Sequence, residues 1–83
     1  MTRNEKIRAF ILTELRWSDP PEALTDDFPL VERSAVDSLD TLRLASYLEQ
    51  EFSITVADTE ILKENFASIT AMSGFVERKL AER

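Results

Sequence analysis

Cysteine and histidine are both missing from these 83 residues, and there is one glycine, Gly74. Without cysteine there are no disulfides, no thiolate metal sites and no thiol nucleophile. Without histidine the commonest general base and the commonest metal ligand are gone, and a Ser–His–Asp triad cannot be assembled. A single glycine rules out a glycine-rich phosphate loop. The chain is therefore not expected to be an enzyme, and no metal site is expected. No apolar run approaches the ~18 residues of a membrane span, so no membrane partner is expected. The opening stretch, MTRNEKIRAF, lacks the apolar centre of a signal peptide. The expected location is the cytoplasm.

Positive charge is also in short supply, with 10 Lys and Arg against 16 Asp and Glu, a net charge of −6. Nucleic acid is then a poor partner, because binding it needs clustered cations. Proteins with basic surfaces fit better. What is present is apolar content of 43%, enough for a folded domain. The chain starts with Met1, and its length suits one free-standing domain over residues 1–83, expected to be a monomer. A chain this short buries only ~60–65% of its unfolded surface. That allows a modest core but not a deep enclosed active site.

The pattern is helical throughout. In TRNEKIRAFILTELRW, Thr2 and Glu5 have the spacing of a capping box, and Ile7, Phe10, Ile11 and Leu15 form one apolar stripe. Pro20 and Pro21 are expected to end it. Residues 18–36 keep no period and hold all three prolines. They predict a long loop with a helical turn near Leu24, anchored by Phe28, Leu30 and Val31. A helix is predicted from Ser38 to Phe52, capped by Asp37 or Ser38. A short helical piece is expected after Asp58, with Ile61 and Leu62 apolar. A last helix starts near Ser68 with Ile69, Met72, Val76 and Leu80 on one stripe. No segment alternates with period two. The fold class is therefore all-α, a small four-helix bundle with three main helices, one short one and a long first loop.

The second helix carries two stripes. At about 100° per residue, Thr41, Leu44, Ala45, Leu48 and Phe52 share one face. Leu39 and Leu42 fall on the opposite side, with Arg43, Ser46 and Glu49 around them. Two apolar side chains ringed by charge make either a docking patch or a surface that the long loop covers. Acids gather on the same helix, as Asp37, Asp40, Glu49 and Glu51 against Arg43 alone.

The stretch VDSLDTLRLASYLEQEF resembles the attachment motif and following helix of acyl carrier proteins. ITVADTEI and ENFASITAMSGFVERKL resemble the third and fourth helices of that family. The resemblance implies that Ser38 carries 4′-phosphopantetheine, attached from coenzyme A by a separate phosphopantetheinyl transferase, and that acyl groups ride on it as thioesters. Asp37 would then support the transferase's magnesium. Leu39, Asp40, Leu42, Arg43, Ser46 and Glu49 would meet acyl-loading and acyl-processing enzymes through basic docking patches. The absences fit, since the sulfur would be imported and a partner would supply the base that a serine needs.

Three positions depart from the family pattern. Ala35 stands where many members have glycine, Arg43 where many have an acid, and Ser46 where many have a bulky apolar residue. These departures point to dedicated partners in a specialised, polyketide-like pathway. The alternatives are a peptidyl or aminoacyl carrier, and an unmodified helical interaction module in which Ser38 only begins a helix. Asp37 and the overall acidity favour acyl over peptidyl cargo.

Overall fold

The computed structural model describes residues 1–82, and among them there are four helices and no strands. Helix α1 spans Arg3–Glu14, α2 Ser38–Phe52, α3 Lys63–Phe66 and α4 Ile69–Ala81. The capping box read from Thr2 and Glu5 is formed. The Thr2 hydroxyl accepts from the Glu5 amide at 3.1 Å, and the Glu5 carboxylate accepts from the Thr2 amide at 2.8 Å. The Thr2 amide, and then the Thr2 hydroxyl, hold the Glu5 carboxyl below its ordinary range.

Helix α1 stops sooner than its sequence suggests. It ends at Glu14, well before Pro20 and Pro21. Leu15 is the C-cap, and Arg16 follows in the left-handed region at φ 57°. Left-handed backbone after a helix reverses the chain and usually falls to glycine. With its only glycine elsewhere, this chain puts Arg16 and Ser53 in left-handed backbone after helices, and Ser34 in the same region within the strap.

The core is wholly apolar among the described residues. Ile7 and Ile11 from α1, with its C-cap Leu15, meet Leu44 and Leu48 from α2 and Ile69, Met72, Phe75 and Val76 from α4. Phe66 fills the centre from α3. Phe66 and Phe75 were not among the expected core residues. Phe10 and Phe52 were, yet both are only partly buried, because each packs its ring on Tyr47 at the edge of the bundle. The Tyr47 hydroxyl donates to the Lys6 carbonyl at 3.1 Å. Burial, and then the Glu51 carboxylate, push this phenol above its ordinary pKa.

The long loop behaves as an anchored strap. A 3₁₀ turn at Pro21–Ala23 delivers Leu24 into the core. Leu30 is fully buried, and Phe28 and Val31 pack against the core. The Leu30 amide donates to the Ala67 carbonyl at 2.8 Å, and the Thr70 amide to the Asp26 carbonyl at 2.9 Å. Arg8 pairs with Asp26 and also donates to the Leu24 carbonyl. The loop is thus bonded to α1, to the α3–α4 junction at Ala67 and to the first turn of α4 at Thr70. The predicted piece after Asp58 is two pieces, a 3₁₀ turn at Asp58–Glu60 and then α3.

Candidate functional site

The segment before α2 decides where Ser38 sits. Val36 is buried and pins the chain, and Asp37 then takes extended backbone as the N-cap. Its carboxylate accepts from the Asp40 amide at 2.8 Å, and Asp40 returns the bond to the Asp37 amide at 3.3 Å. Asp37 is therefore the cap and Ser38 the first helical residue. Ser38 is exposed, and its hydroxyl has no hydrogen-bond partner among the described residues. Its side chain is free for chemistry because the neighbouring aspartate holds the helix end. Ala35, at the position noted above, has ordinary backbone, and the left-handed turn falls one residue earlier at Ser34.

Ser38 opens onto a cleft of about 470 Å³. Val31 and Val36 from the strap, Thr41 and Leu42 from α2, and Ile61, Leu62 and Phe66 from around α3 give it apolar walls. Asp37 and Lys63 are its charged residues. A phosphodiester on Ser38 would stand at a helix N-terminus, where unpaired amides favour negative charge. Lys63, which has no ion-pair partner among the described residues, would share that cleft. The residues present fit a phosphate-linked, flexible arm.

The second stripe of α2 is exposed. Leu39 is 65% and Leu42 51% accessible, so the long loop does not cover them. The eight residues singled out from the sequence do not form one patch, however. Leu42 lies on the cleft side with Leu62, itself 45% exposed. Arg43 and Ser46 lie on the other side, along a groove with Phe10, Glu14 and Tyr47. The Arg43 guanidinium donates to the Glu14 carbonyl at 3.2 Å and so closes the C-terminal end of α1. Leu39 stands between the two sides. Asp40 is partly engaged by the capping box, and Glu49 accepts from the Val56 amide at 2.9 Å. Both acids thus have structural tasks beside any contact outward.

Ile61, Leu62 and Lys63 were not tied to the site by sequence. They lie more than twenty positions from Ser38, and no local pattern joins the two. The only sequence signal was the pair of apolar residues in a short helical piece, which asks what they cover.

Comparison with known proteins agrees with the geometry. The family model described as "Phosphopantetheine attachment site" matches residues 5–76. The chain is 30% identical over 74 residues to an acyl carrier protein of Campylobacter curvus, covering 89% of this chain and 91% of that one. It is 30% identical over 77 residues to one of Thermosynechococcus vestitus, covering 93% and 90%. It is 31% identical over 74 residues to one of Akkermansia muciniphila, covering 89% and 88%. An exposed serine on an apolar cleft, in an acidic all-α bundle that matches these relatives along most of its length, places the chain in the acyl carrier protein family, carriers of covalently attached 4′-phosphopantetheine rather than enzymes.

Proposed function

We propose that Ser38 is the attachment point of the 4′-phosphopantetheine arm and that this chain presents acyl intermediates to partner enzymes. The observation that carries the proposal is the free, exposed Ser38 hydroxyl at the first residue of α2, with Asp37 taking the capping role. When attached, the arm supplies a thiol that forms thioesters, which this cysteine-free chain cannot make from its own side chains. The chain's own residues hold and orient. Asp37 and Asp40 fix the helix end, and the cleft from Val31 to Phe66 flanks the arm's root. Asp37 keeps its second carboxylate oxygen available to the transferase's magnesium.

The exposed face of α2 is the docking surface in this reading. Leu39 and Leu42, joined by Leu62, offer apolar contact, while Asp40 and Glu49 attract basic residues. Arg43 and Ser46 make the α1 side of this surface more polar, and Arg43 discourages partners whose basic residue expects an acid. That supports dedicated enzymes of a specialised, polyketide-like pathway, with aminoacyl cargo as the second reading. The test is to incubate the protein with coenzyme A, magnesium and a broad-specificity transferase, and to weigh it intact. One phosphopantetheine mass is expected on the parent and none on Ser38→Ala. A modified Ser38→Ala, or an unmodified parent with several transferases, overturns the assignment.

A further inference from the structure

Ala35, next to the Val36 that lines the Ser38 cleft, borders a second cleft of about 400 Å³. It is lined by Arg16, Trp17, Asp19, Phe28, Arg33 and Ser34, among others. Its chemistry is the reverse of α2. Two guanidiniums face one carboxylate, in a chain of net charge −6. Arg16 and Arg33 are exposed, and neither has a hydrogen-bond or ion-pair partner for its side chain among the described residues. By contrast Arg3, Arg8, Arg43 and Arg78 are each bonded within the protein.

The frame around these two cations is firm. Trp17 packs edge-on to Phe28 at 5.1 Å, and its indole N–H donates to the Pro20 carbonyl at 3.1 Å. Arg16 itself occupies a left-handed position, as does Ser34 across the cleft. A left-handed arginine costs more than the glycine that normally sits there. Yet the Arg16 side chain offsets nothing inside the protein.

Scale ties this cleft to Ser38. Ala35 lines it, and three residues of chain reach at most about 11 Å. An enzyme acting on Ser38 covers about 800 Å² of this protein, a disc of radius roughly 16 Å. Such a footprint centred on Ser38 extends past Ala35, which borders the Arg16–Arg33 cleft. Covering two arginines without a counter-charge is unfavourable, because they lose water and gain nothing. A guanidinium's natural complement is a carboxylate, held in its planar fork.

We propose that the Arg16–Arg33 cleft is a second recognition element, opposite in sign to the acids of α2, and that an enzyme engaging Ser38 meets it with acidic side chains. The partner's surface is then bipolar, basic toward Asp40 and Glu49 and acidic toward Arg16 and Arg33. Two contacts of opposite sign fix the angle of approach, which a single basic patch leaves free.

This proposal rests on Ser38 being the loaded residue, and the probe is the broad-specificity phosphopantetheinyl transferase. Loading kinetics are measured for the parent, Arg16→Glu/Arg33→Glu and, as a control on α4, Arg78→Glu, at about 0.05 and about 0.5 M salt. The cleft variant is expected to lose about fivefold in kcat/KM at low salt and to approach the parent at high salt. Circular dichroism melts show whether the variant stays folded, and Arg16→Gln/Arg33→Gln provides a milder change in the same direction. The sign is decisive. A partner that is basic throughout would load the more acidic variant faster, so an unchanged or raised kcat/KM overturns the proposal. A loss that persists undiminished at high salt, or equals that of Arg78→Glu, overturns it as well. If inorganic phosphate saturably shifts the emission of Trp17, the chain's only tryptophan, the cleft is a free-anion site and the docking assignment fails. Failure of the parent to load at all would instead remove the assignment of Ser38.

Discussion

Replacing Leu48 and Leu42 in turn measures how differently the two faces of α2 are used. Leu48 is fully buried, in contact with the core built by α1 and α4. Leu48→Ala loses transfer free energy and leaves a cavity, a cost of about 2–5 kcal/mol. A domain of this length holds about 4–12 kcal/mol in all, at about 0.05–0.15 kcal/mol per residue. The substitution therefore removes a large share and brings the protein near its unfolding limit. Leu42 is 51% exposed, so only half its surface is withheld from water. Full burial of leucine stabilises by about 1.5–3 kcal/mol, and alanine keeps part of the half, which leaves about 0.5–1 kcal/mol for Leu42→Ala. The assay is urea unfolding followed by helical circular dichroism, with slopes compared so that a changed unfolded state is not mistaken for lost stability. Losses of equal size at the two positions would refute the division of α2 into a core face and a presented face.

Exchanging the place of glycine should stabilise the protein. Ser53 sits at φ 55°, and Ser53→Gly is expected to gain about 1 kcal/mol. At Gly74, inside α4, an added Cβ meets only the Arg78 Nη1 at 3.6 Å, so Gly74→Ala is expected to gain about 0.5–1 kcal/mol. A thermal melt that shows either variant less stable than the parent contradicts the backbone reading at that position. The Glu60 carboxyl is held below its ordinary 4.5 by the Ala57 amide first and the Lys79 ammonium next. A lowered folded-state pKa favours folding when the group is ionised. Its contribution is thus complete above 4.5 and fades as pH falls through the lowered value. Melting temperatures of the parent and Glu60→Gln from roughly pH 7 to pH 3 should converge at the acid end, and a gap that stays constant would exclude this role.

Features governed by neighbouring residues were legible in the sequence. The Thr2–Glu5 box, the span of α2 and the Ser68 start of α4 all depend on residues a few positions apart. The two stripes of α2 were legible because helical periodicity separates them without reference to anything else. Anchoring of the strap by Phe28, Leu30 and Val31 followed from the cost of leaving a long loop loose. The end of α1 was not legible, since arginine and not glycine takes the left-handed position. Nor was the company Ser38 keeps. Lys63 and Leu62 reach it only through the packing of α3, and Arg16 meets Arg33 only because the strap returns to the end of α1. Both are products of tertiary folding with no counterpart in local pattern.

The hydrogen bonds that fasten the strap also determine which seam of the molecule can give way. Leu30 and Asp26 are stitched to Ala67 and Thr70, while Tyr47 and Arg43 stitch α2 to α1. Between the first turn of α2 and α3, among the described residues, no hydrogen bond crosses the Ser38 cleft. That seam is held by apolar contact alone. Parting it forfeits no directional bond, and costs about 2.5 kcal/mol for each 100 Å² of apolar surface uncovered. The bundle thus has a compliant side, and the serine stands at its lip.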